Sequence, residues 1–174
     1  MEGVLVSIWC ITYNHEPYIR DEINGFLSQK TNFKYEIVIH DDASTDNTVE
    51  IIKEYEQKYP NLIRGIYQIE NQYHKNISDF TWLNKLEIQN CKGKYIAVCE
   101  WDDYWIDYQK LQLQVDFLEN HPEYIMVTHN TLQINEDNKV LSPINYKRKD
   151  GPVKESEIIL ETVKLQTASR VYRK

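Results

Sequence analysis

Short runs of β-branched and aromatic residues alternate along this chain with stretches in which apolar residues return every three to four positions. Val4 to Ile11 is apolar almost throughout, the pattern of a strand buried on both faces. A polar turn, Thr12 to His15, follows, and Pro17 suits the first turn of a helix that Tyr18, Ile19, Ile23, Phe26 and Leu27 mark by their spacing, with Asn32 closing it. Tyr35 to Ile39 is a second strand. The polar segment from His40 to Thr48 offers Ser44, Thr45 and Asp46 as helix caps, and Val49, Ile52, Tyr55 and Tyr59 carry the helix until Pro60 stops it. Leu62 to Tyr67 is a third, weaker strand. Residues Glu70 to Asp79 are polar and aperiodic, hence a loop. Leu83, Leu86 and Ile88 place a helix over Phe80 to Asn90. A turn through Gly93 leads into a strand from Tyr95 to Cys99. Asp107 is expected to cap a helix with Leu111, Val115 and Leu118 on one face, which His121 and Pro122 end. Tyr124 to His129 reads as a strand, Gln133 to Val140 as a hairpin, Pro143 to Pro152 as a polar, basic segment, Lys154 to Val163 as a short helix, and Thr167 to Lys174 as the start of another strand.

Strands alternating with helices imply an α/β fold with a mostly parallel, Rossmann-like sheet flanked by helices and joined by right-handed crossovers. Residues 1–174 are expected to form a single domain. Composition narrows the partners. The net charge of −7 argues against a nucleic-acid partner, which requires a basic footprint; Lys147, Arg148 and Lys149 are a local exception. Cys10, Cys91 and Cys99 are odd in number and lack ligand spacing, so they read as reduced core thiols of a cytoplasmic protein. No apolar run is long enough to span a bilayer, and no signal-peptide pattern is expected.

The chemistry concentrates at strand ends. Glu100, Asp102 and Asp103 follow directly on the strand from Tyr95. Carboxylates so crowded repel unless a cation compensates, and Mg²⁺ or Mn²⁺ prefers such oxygen ligands and bridges them to phosphates. The competing reading is a solvated acidic turn ahead of the next helix. Asp41 and Asp42 end the second strand, and extended geometry points them apart, one to the backbone and one to a ligand. Thr12, Tyr13 and Asn14 end the first strand. If these strands are neighbours, their ends meet in the crevice where open α/β sheets bind ligands, giving a nucleotide-shaped pocket with a metal at one side. Neither a dinucleotide fingerprint nor a P-loop is present. His15 and His40 are expected to hydrogen-bond or face solvent rather than ligate, and His129 to be structural. Tyr104 and Trp105 either stack on a sugar or pack. Arg64, Lys75 and Lys85 are candidate diphosphate partners whose default is a solvated surface.

The ordered set of Val6 to Asn14, Asp41 to Thr48 with Ser44, Thr45 and Asp46 inside it, Gly93 to Ala97, and Glu100 to Trp105 resembles the family 2 glycosyltransferases with the GT-A fold, the bacterial capsule and surface-polysaccharide members above all, and covers nearly the whole chain. The resemblance implies transfer of a sugar from a nucleoside-diphosphate sugar to the hydroxyl of a saccharide or lipid-linked saccharide acceptor, with inversion, in polysaccharide or glycoconjugate biosynthesis. It places Thr12, Tyr13, Asn14 and Asp42 against the nucleoside, Asp102 on ribose and metal, and Asp103 on Mn²⁺ or Mg²⁺, with Glu100, Asp41 and Trp105 as further candidates. Glu100 stands where the family has Asp. An Asp near the base suits a pyrimidine imide N–H, hence a uridine donor. The general base is expected beyond Lys174, in an acceptor-binding part that this stretch lacks, so 1–174 is expected to bind donor nucleotide with little transfer. Lys147, Arg148 and Lys149 would assist peripheral approach to the inner face of a membrane. The alternatives are a nucleotide-sugar-binding module without catalysis and a nucleotidyltransferase; the latter requires a Gly-rich basic loop near the N-terminus, which Thr12 to Glu16 does not offer.

Overall fold

The structure, a computed structural model, describes residues 3–75, 81–100, 103–135, 139–143, 151–153 and 166–174. Alternation along the strands decides its layering. β1 (Val6–Thr12) contributes Val6, Ile8 and Cys10 to one hydrophobic cluster and Trp9 and Ile11 to another, because successive side chains of a strand leave on opposite faces. β2 (Tyr35–Asp41) divides Ile37 and Ile39 from Val38 in the same way, and β4 (Tyr95–Glu100) divides Ala97 and Cys99 from Ile96 and Val98. The first face is covered by α1 (Ile19–Leu27), α2 (Thr48–Lys58) and α5 (Lys110–Asn120), which bury Ile23, Phe26, Ile52, Leu111 and Leu118 completely. Each such side chain contributes about 1.5–3 kcal/mol, so this face holds most of the stability. The second face is thinner, covered by Leu83 and Leu86 of α4 (Thr81–Asn90), Ile66 of β3 (Ile63–Tyr67) and Tyr172.

The six-stranded sheet runs β3-β2-β1-β4-β8-β5, with β5 at Met126–Val127 and β8 at Val171–Arg173. β1 pairs in parallel with β2 on one side and β4 on the other. The chain therefore winds away from β1 through β2 and β3 and returns to its opposite side, and the gap between the ends of β1 and β4 is the topological switch point at which such sheets open. A separate two-stranded sheet pairs β6 (Leu132–Ile134) with β7 (Val140–Pro143), the expected hairpin.

Several expectations need correction. β2 runs on through His40 to Asp41 because both neighbours still pair there, Thr12 on one side and Tyr67 on the other. A helical turn, α3 (Gln72–Lys75), stands inside the stretch expected to be a loop; Asp42 caps it from far upstream. Asp107 accepts from the amide of Gln109 at 2.8 Å, so it lies two residues ahead of the cap position of α5. The strand expected over Tyr124 to His129 shrinks to two residues, since its partner β8 pairs with it only there. β8 itself is antiparallel to β4 and sits inside the sheet. The expected helix over Lys154 to Val163, the basic run Lys147 to Lys149, and Asp102 lie outside the described residues. Cys10, Cys91 and Cys99 are free and buried, and burial pushes the Cys91 thiol up to about 12. No described helix is long and apolar enough to cross a membrane.

Candidate functional site

The turns after β1 and β2 are built as one unit. Asn14 leaves the sheet with φ 55°, a left-handed conformation Asn tolerates better than most residues. Its amide donates to Ser44 Oγ at 2.8 Å, and its Oδ1 accepts the Thr45 amide at 2.8 Å. Thr48 Oγ1 accepts the His15 amide at 2.8 Å, and the Asp46 carboxylate takes the amides of Glu16 and Thr48, each at 3.0 Å. Of the three predicted caps only Asp46 therefore meets the start of α2; Ser44 and Thr45 tie the two turns together. Asp41 is fully buried and accepts from both the amide and the hydroxyl of Ser44, at 2.9 and 2.5 Å. Burial raises its pKa, and the Ser44 bonds oppose that rise. As a candidate ligand residue Asp41 is corrected: its oxygens serve the turn.

At the switch point lies a cavity of about 260 Å³. Ile11, Thr12 and Tyr13 line it from the end of β1, Asp42 from β2 and Glu100 from β4, while Tyr73, Trp82 and Leu83 close it from α3 and α4. Two of its lining residues carry a buried polar atom without a hydrogen-bond partner among the described residues, Thr12 Oγ1 and Trp82 Nε1. Such groups cost about 1–3 kcal/mol each when unsatisfied, a deficit that a polar ligand can relieve. Asp42 accepts the amides of Gln72 and Tyr73 at 2.8 and 2.9 Å through its two oxygens. It thus fixes the turn that brings Tyr73 to the cavity. Tyr13 and Tyr73 each meet the His74 ring edge-on, at 6.4 and 6.3 Å.

Glu100, the first residue of the acidic motif, lines this cavity. Burial raises the Glu100 pKa, against a hydrogen bond from Thr167 and the positive charge of Arg170. The Asp103 amide turns back to Glu100 O at 3.3 Å, and its carbonyl accepts from Cys99 Sγ at 3.4 Å. Among the described residues no group of three or more His, Cys, Asp or Glu side chains forms a metal site. The donors at hand are carboxylate oxygens, the set hard divalent cations take in small number when phosphates and water complete the shell. Trp105 is corrected as a sugar-stacking candidate. It is 5% exposed, its ring packs edge-on against Phe26 at 4.8 Å, Lys110 Nζ lies 4.1 Å from its centroid, and its Nε1 donates to Ala168 O at 3.0 Å.

His40 meets the hydrogen-bonding half of its expectation, with its Nε2 3.1 Å from Gln68 Nε2, and is buried between Trp9 and Trp82 at 5.8 Å from each, where burial lowers its pKa. Arg64 is committed to Asn90 at the end of α4, at 3.0 and 2.6 Å, and Lys75 pairs with Glu70, so neither stands free for a diphosphate. Tyr73 and Trp82 were not singled out by the sequence pattern, and Leu83 was read only as a helix-packing residue. The aromatic residues Tyr73 and Trp82, standing in and beside a polar stretch, are the one signal that pointed toward a wall there.

Residues 7–166 match the family model described as Glycosyl transferase family 2. An uncharacterized protein of Mycobacterium tuberculosis is 40% identical over 173 residues, which cover 97% of this chain and 47% of that protein. The Escherichia coli UDP-Glc:alpha-D-GlcNAc-diphosphoundecaprenol beta-1,3-glucosyltransferase WfaP is 32% identical over 133 residues, 76% of this chain and 48% of it. The crystal structure of S. aureus TarS residues 1–349 in complex with UDP superposes with a TM-score of 0.69 at 22% identity, over 98% of this chain and 47% of that one. The chain thus spans about half the length of the curated relatives it matches.

Proposed function

The chain belongs to glycosyl transferase family 2, and from that footing we propose that it binds a uridine-diphosphate sugar and takes part in inverting transfer of that sugar to the hydroxyl of a saccharide or lipid-linked acceptor. The observation that carries the reading is the switch-point cavity, where Thr12, Tyr13 and Asp42 meet Glu100 and where the Thr12 hydroxyl has no partner. Its 260 Å³ is below the roughly 300–1,000 Å³ of pockets that enclose a whole drug-sized ligand. It suits the base and ribose, leaving the diphosphate at the acidic motif. WfaP, named for a UDP-Glc donor, and the UDP complex of TarS support uridine over other bases.

In this reading Tyr13 and Tyr73 contact the base. Thr12 Oγ1 satisfies its hydrogen bond on the nucleoside, and the Asp42 oxygens, each with a second lone pair, accept from the base while holding the 72–73 amides. Asp103, with Asp102, would hold Mn²⁺ or Mg²⁺. The cation would offset charge developing on the departing diphosphate. Glu100 already faces Thr167 and Arg170 and serves as cavity wall.

The test is a thermal melt with UDP, GDP, CDP or dTDP, each with Mn²⁺ or EDTA. A ligand selective for the native state stabilises by about 2.7 kcal/mol at a hundred times its Kd. UDP with Mn²⁺ is expected to give the largest rise in Tm, and Asp103→Ala to abolish the part that depends on Mn²⁺. A melt unmoved by all four nucleotides sinks the donor-site reading.

A further inference from the structure

Trp82 has a firm seat and a hydrogen without an acceptor. Its ring packs against His40 with centroids 5.8 Å apart and planes 59° apart, and His40 in turn stacks on Trp9 at 5.8 Å and 21°. Both supporting rings are buried in the sheet. The indole also lines the switch-point cavity, and its Nε1 is buried there with no hydrogen-bond partner among the described residues. An indole N–H only donates, so what it lacks is an acceptor. The ring beside it supplies none. His40 Nε2 faces the Gln68 amide nitrogen at 3.1 Å; with that nitrogen as donor, His40 Nε2 is the acceptor and its Nδ1 carries the proton.

The sheet order decides which part of a ligand Trp82 meets. β1 stands between β2 and β4, so the cavity has one side at the end of β2, with Asp42, and another at the end of β4, with Glu100. Trp82 leans on His40 of β2, two residues ahead of Asp42, and belongs to the first side. In the donor-site reading that side takes the base, and the acidic side takes the diphosphate. Two groups of fixed sign then stand at the base. Asp42 offers acceptor oxygens held in place by the amides of Gln72 and Tyr73, and Trp82 offers a donor. Uracil carries its ring N–H between two carbonyl oxygens, which answers both. With Asp42 on the ring N–H position, cytosine sets a bare nitrogen against the carboxylate and carries a donor where uracil has its 4-carbonyl.

We propose that Trp82 is a base-reading residue of the nucleotide cavity, its Nε1–H donating to a carbonyl oxygen of uracil beside the Asp42 carboxylate that takes the ring N–H. A ring seated on two buried rings loses little further freedom when the ligand arrives, which is how rigid support raises affinity. A buried donor left without its acceptor also penalises a base that cannot supply one. The inference rests on the donor-site reading above and adds to it a residue from a helix, outside every strand-end motif.

The experiment is calorimetric titration of UDP, 2-thio-UDP and 4-thio-UDP into the full chain, with the nucleotide-free melt followed by circular dichroism to keep folding in view. Sulfur in place of a carbonyl oxygen is a weak acceptor, so the wild-type chain is expected to bind one of the two analogues about tenfold more weakly than UDP. Trp82→Phe keeps an aromatic ring against His40 and removes the N–H. It is expected to weaken UDP about tenfold and to bind UDP and both analogues within about twofold of one another, since the bond that told oxygen from sulfur is gone. A wild-type chain that binds UDP and both analogues equally overturns the proposal without recourse to the variant. So does a Trp82→Phe chain that keeps wild-type affinity for UDP, or one that weakens all three ligands by the same factor, which is the mark of a merely structural ring. A wild-type chain that binds no nucleoside diphosphate overturns the donor-site reading, and this inference falls with it.

Discussion

The two strand ends that border the cavity are secured by opposite means. At the β1–β2 end the bonds are polar, partly exposed, and made between side chains and backbone amides 30 to 33 positions apart, as between Asn14 and Ser44 or His15 and Thr48. At the β4 end the acidic motif is held from inside. Trp105 is buried and bonded to a carbonyl 63 positions away, and its backbone presses on α1 at Gly25. The first arrangement is a set of small, separable contributions of about 1 kcal/mol each. The second is a packed joint, where volume rather than hydrogen bonding decides, and where a single misplaced methyl is felt throughout. A cavity bounded by both gains a turn that tolerates substitution and a motif that does not.

The largest effect should come from breaking the packed joint. A Cβ at Gly25 would meet Trp105 O at 2.8 Å and Trp105 N at 3.1 Å, and both are backbone atoms with no flexible end to swing aside. Ala is favoured over Gly in a helix by about 0.8–1.0 kcal/mol, but overpacking costs about 1–3 kcal/mol. Gly25→Ala is therefore expected to lose up to about 2 kcal/mol in urea denaturation, against the helix-propensity rule, and to weaken UDP binding as Trp105 moves the motif. A Gly25→Ala chain more stable than wild type would show that the joint has slack.

This contrast also explains what could be read from residues alone. β1, β2 and β4 were legible because a strand covered on both faces must be apolar almost throughout, and Val6 to Ile11 (Ser7 apart), Ile37 to Ile39 and Tyr95 to Cys99 are. Their C-terminal ends had to converge once the strands were parallel, so Thr12, Tyr13, Asp42 and Glu100 were legible as one edge. The pleat predicted that Asp41 and Asp42 point apart, but not that both would hold turns, Asp41 at Ser44 and Asp42 at the amides of Gln72 and Tyr73. Trp105 was not legible, since an aromatic beside carboxylates looks alike whether it faces a sugar or the core. β8 was legible as the start of a strand after Thr167, but its antiparallel place inside the sheet was not. Three residues of strand carry almost no periodicity, and their pairing with Tyr95 to Ala97 is a contact between positions more than seventy apart. α3 was read as loop because its cap, Asp42, comes from another strand rather than from the preceding residue.

A smaller effect should follow at the separable end. Asp46→Ala removes the acceptor for the amides of Glu16 and Thr48. Loss of a helix-cap carboxylate typically costs about 0.5–2 kcal/mol. Asp46→Ala is expected to fall in that range by urea denaturation, while UDP affinity stays within about twofold, since the Asn14–Ser44–Asp41 bonds remain to carry the turn. A loss of binding as large as that of Gly25→Ala would mean that the two ends are not separable after all.

A pH series sharpens the comparison from the side of charge. Lys110 lies in the packed joint, 4% exposed, and burial holds its ammonium down to about 7. In the unfolded chain the same amine keeps its proton up to about 10.5. Between those values the unfolded state binds more protons, so this group's contribution to stability rises with pH across the window, and below it the full cost of burying the charge is present. The buried thiols of Cys10 and Cys99 act oppositely, because burial raises them and the folded state keeps their protons longer. The Lys110 contribution is therefore read as a difference from Lys110→Met, which keeps the length and removes the charge. Wild type is expected to gain on Lys110→Met steadily from pH 7 to pH 10 in urea denaturation. Parallel stability curves would mean that the ammonium over Trp105 is as well solvated in the folded joint as in water, and the β4 end would then be no drier than the turn it is compared with.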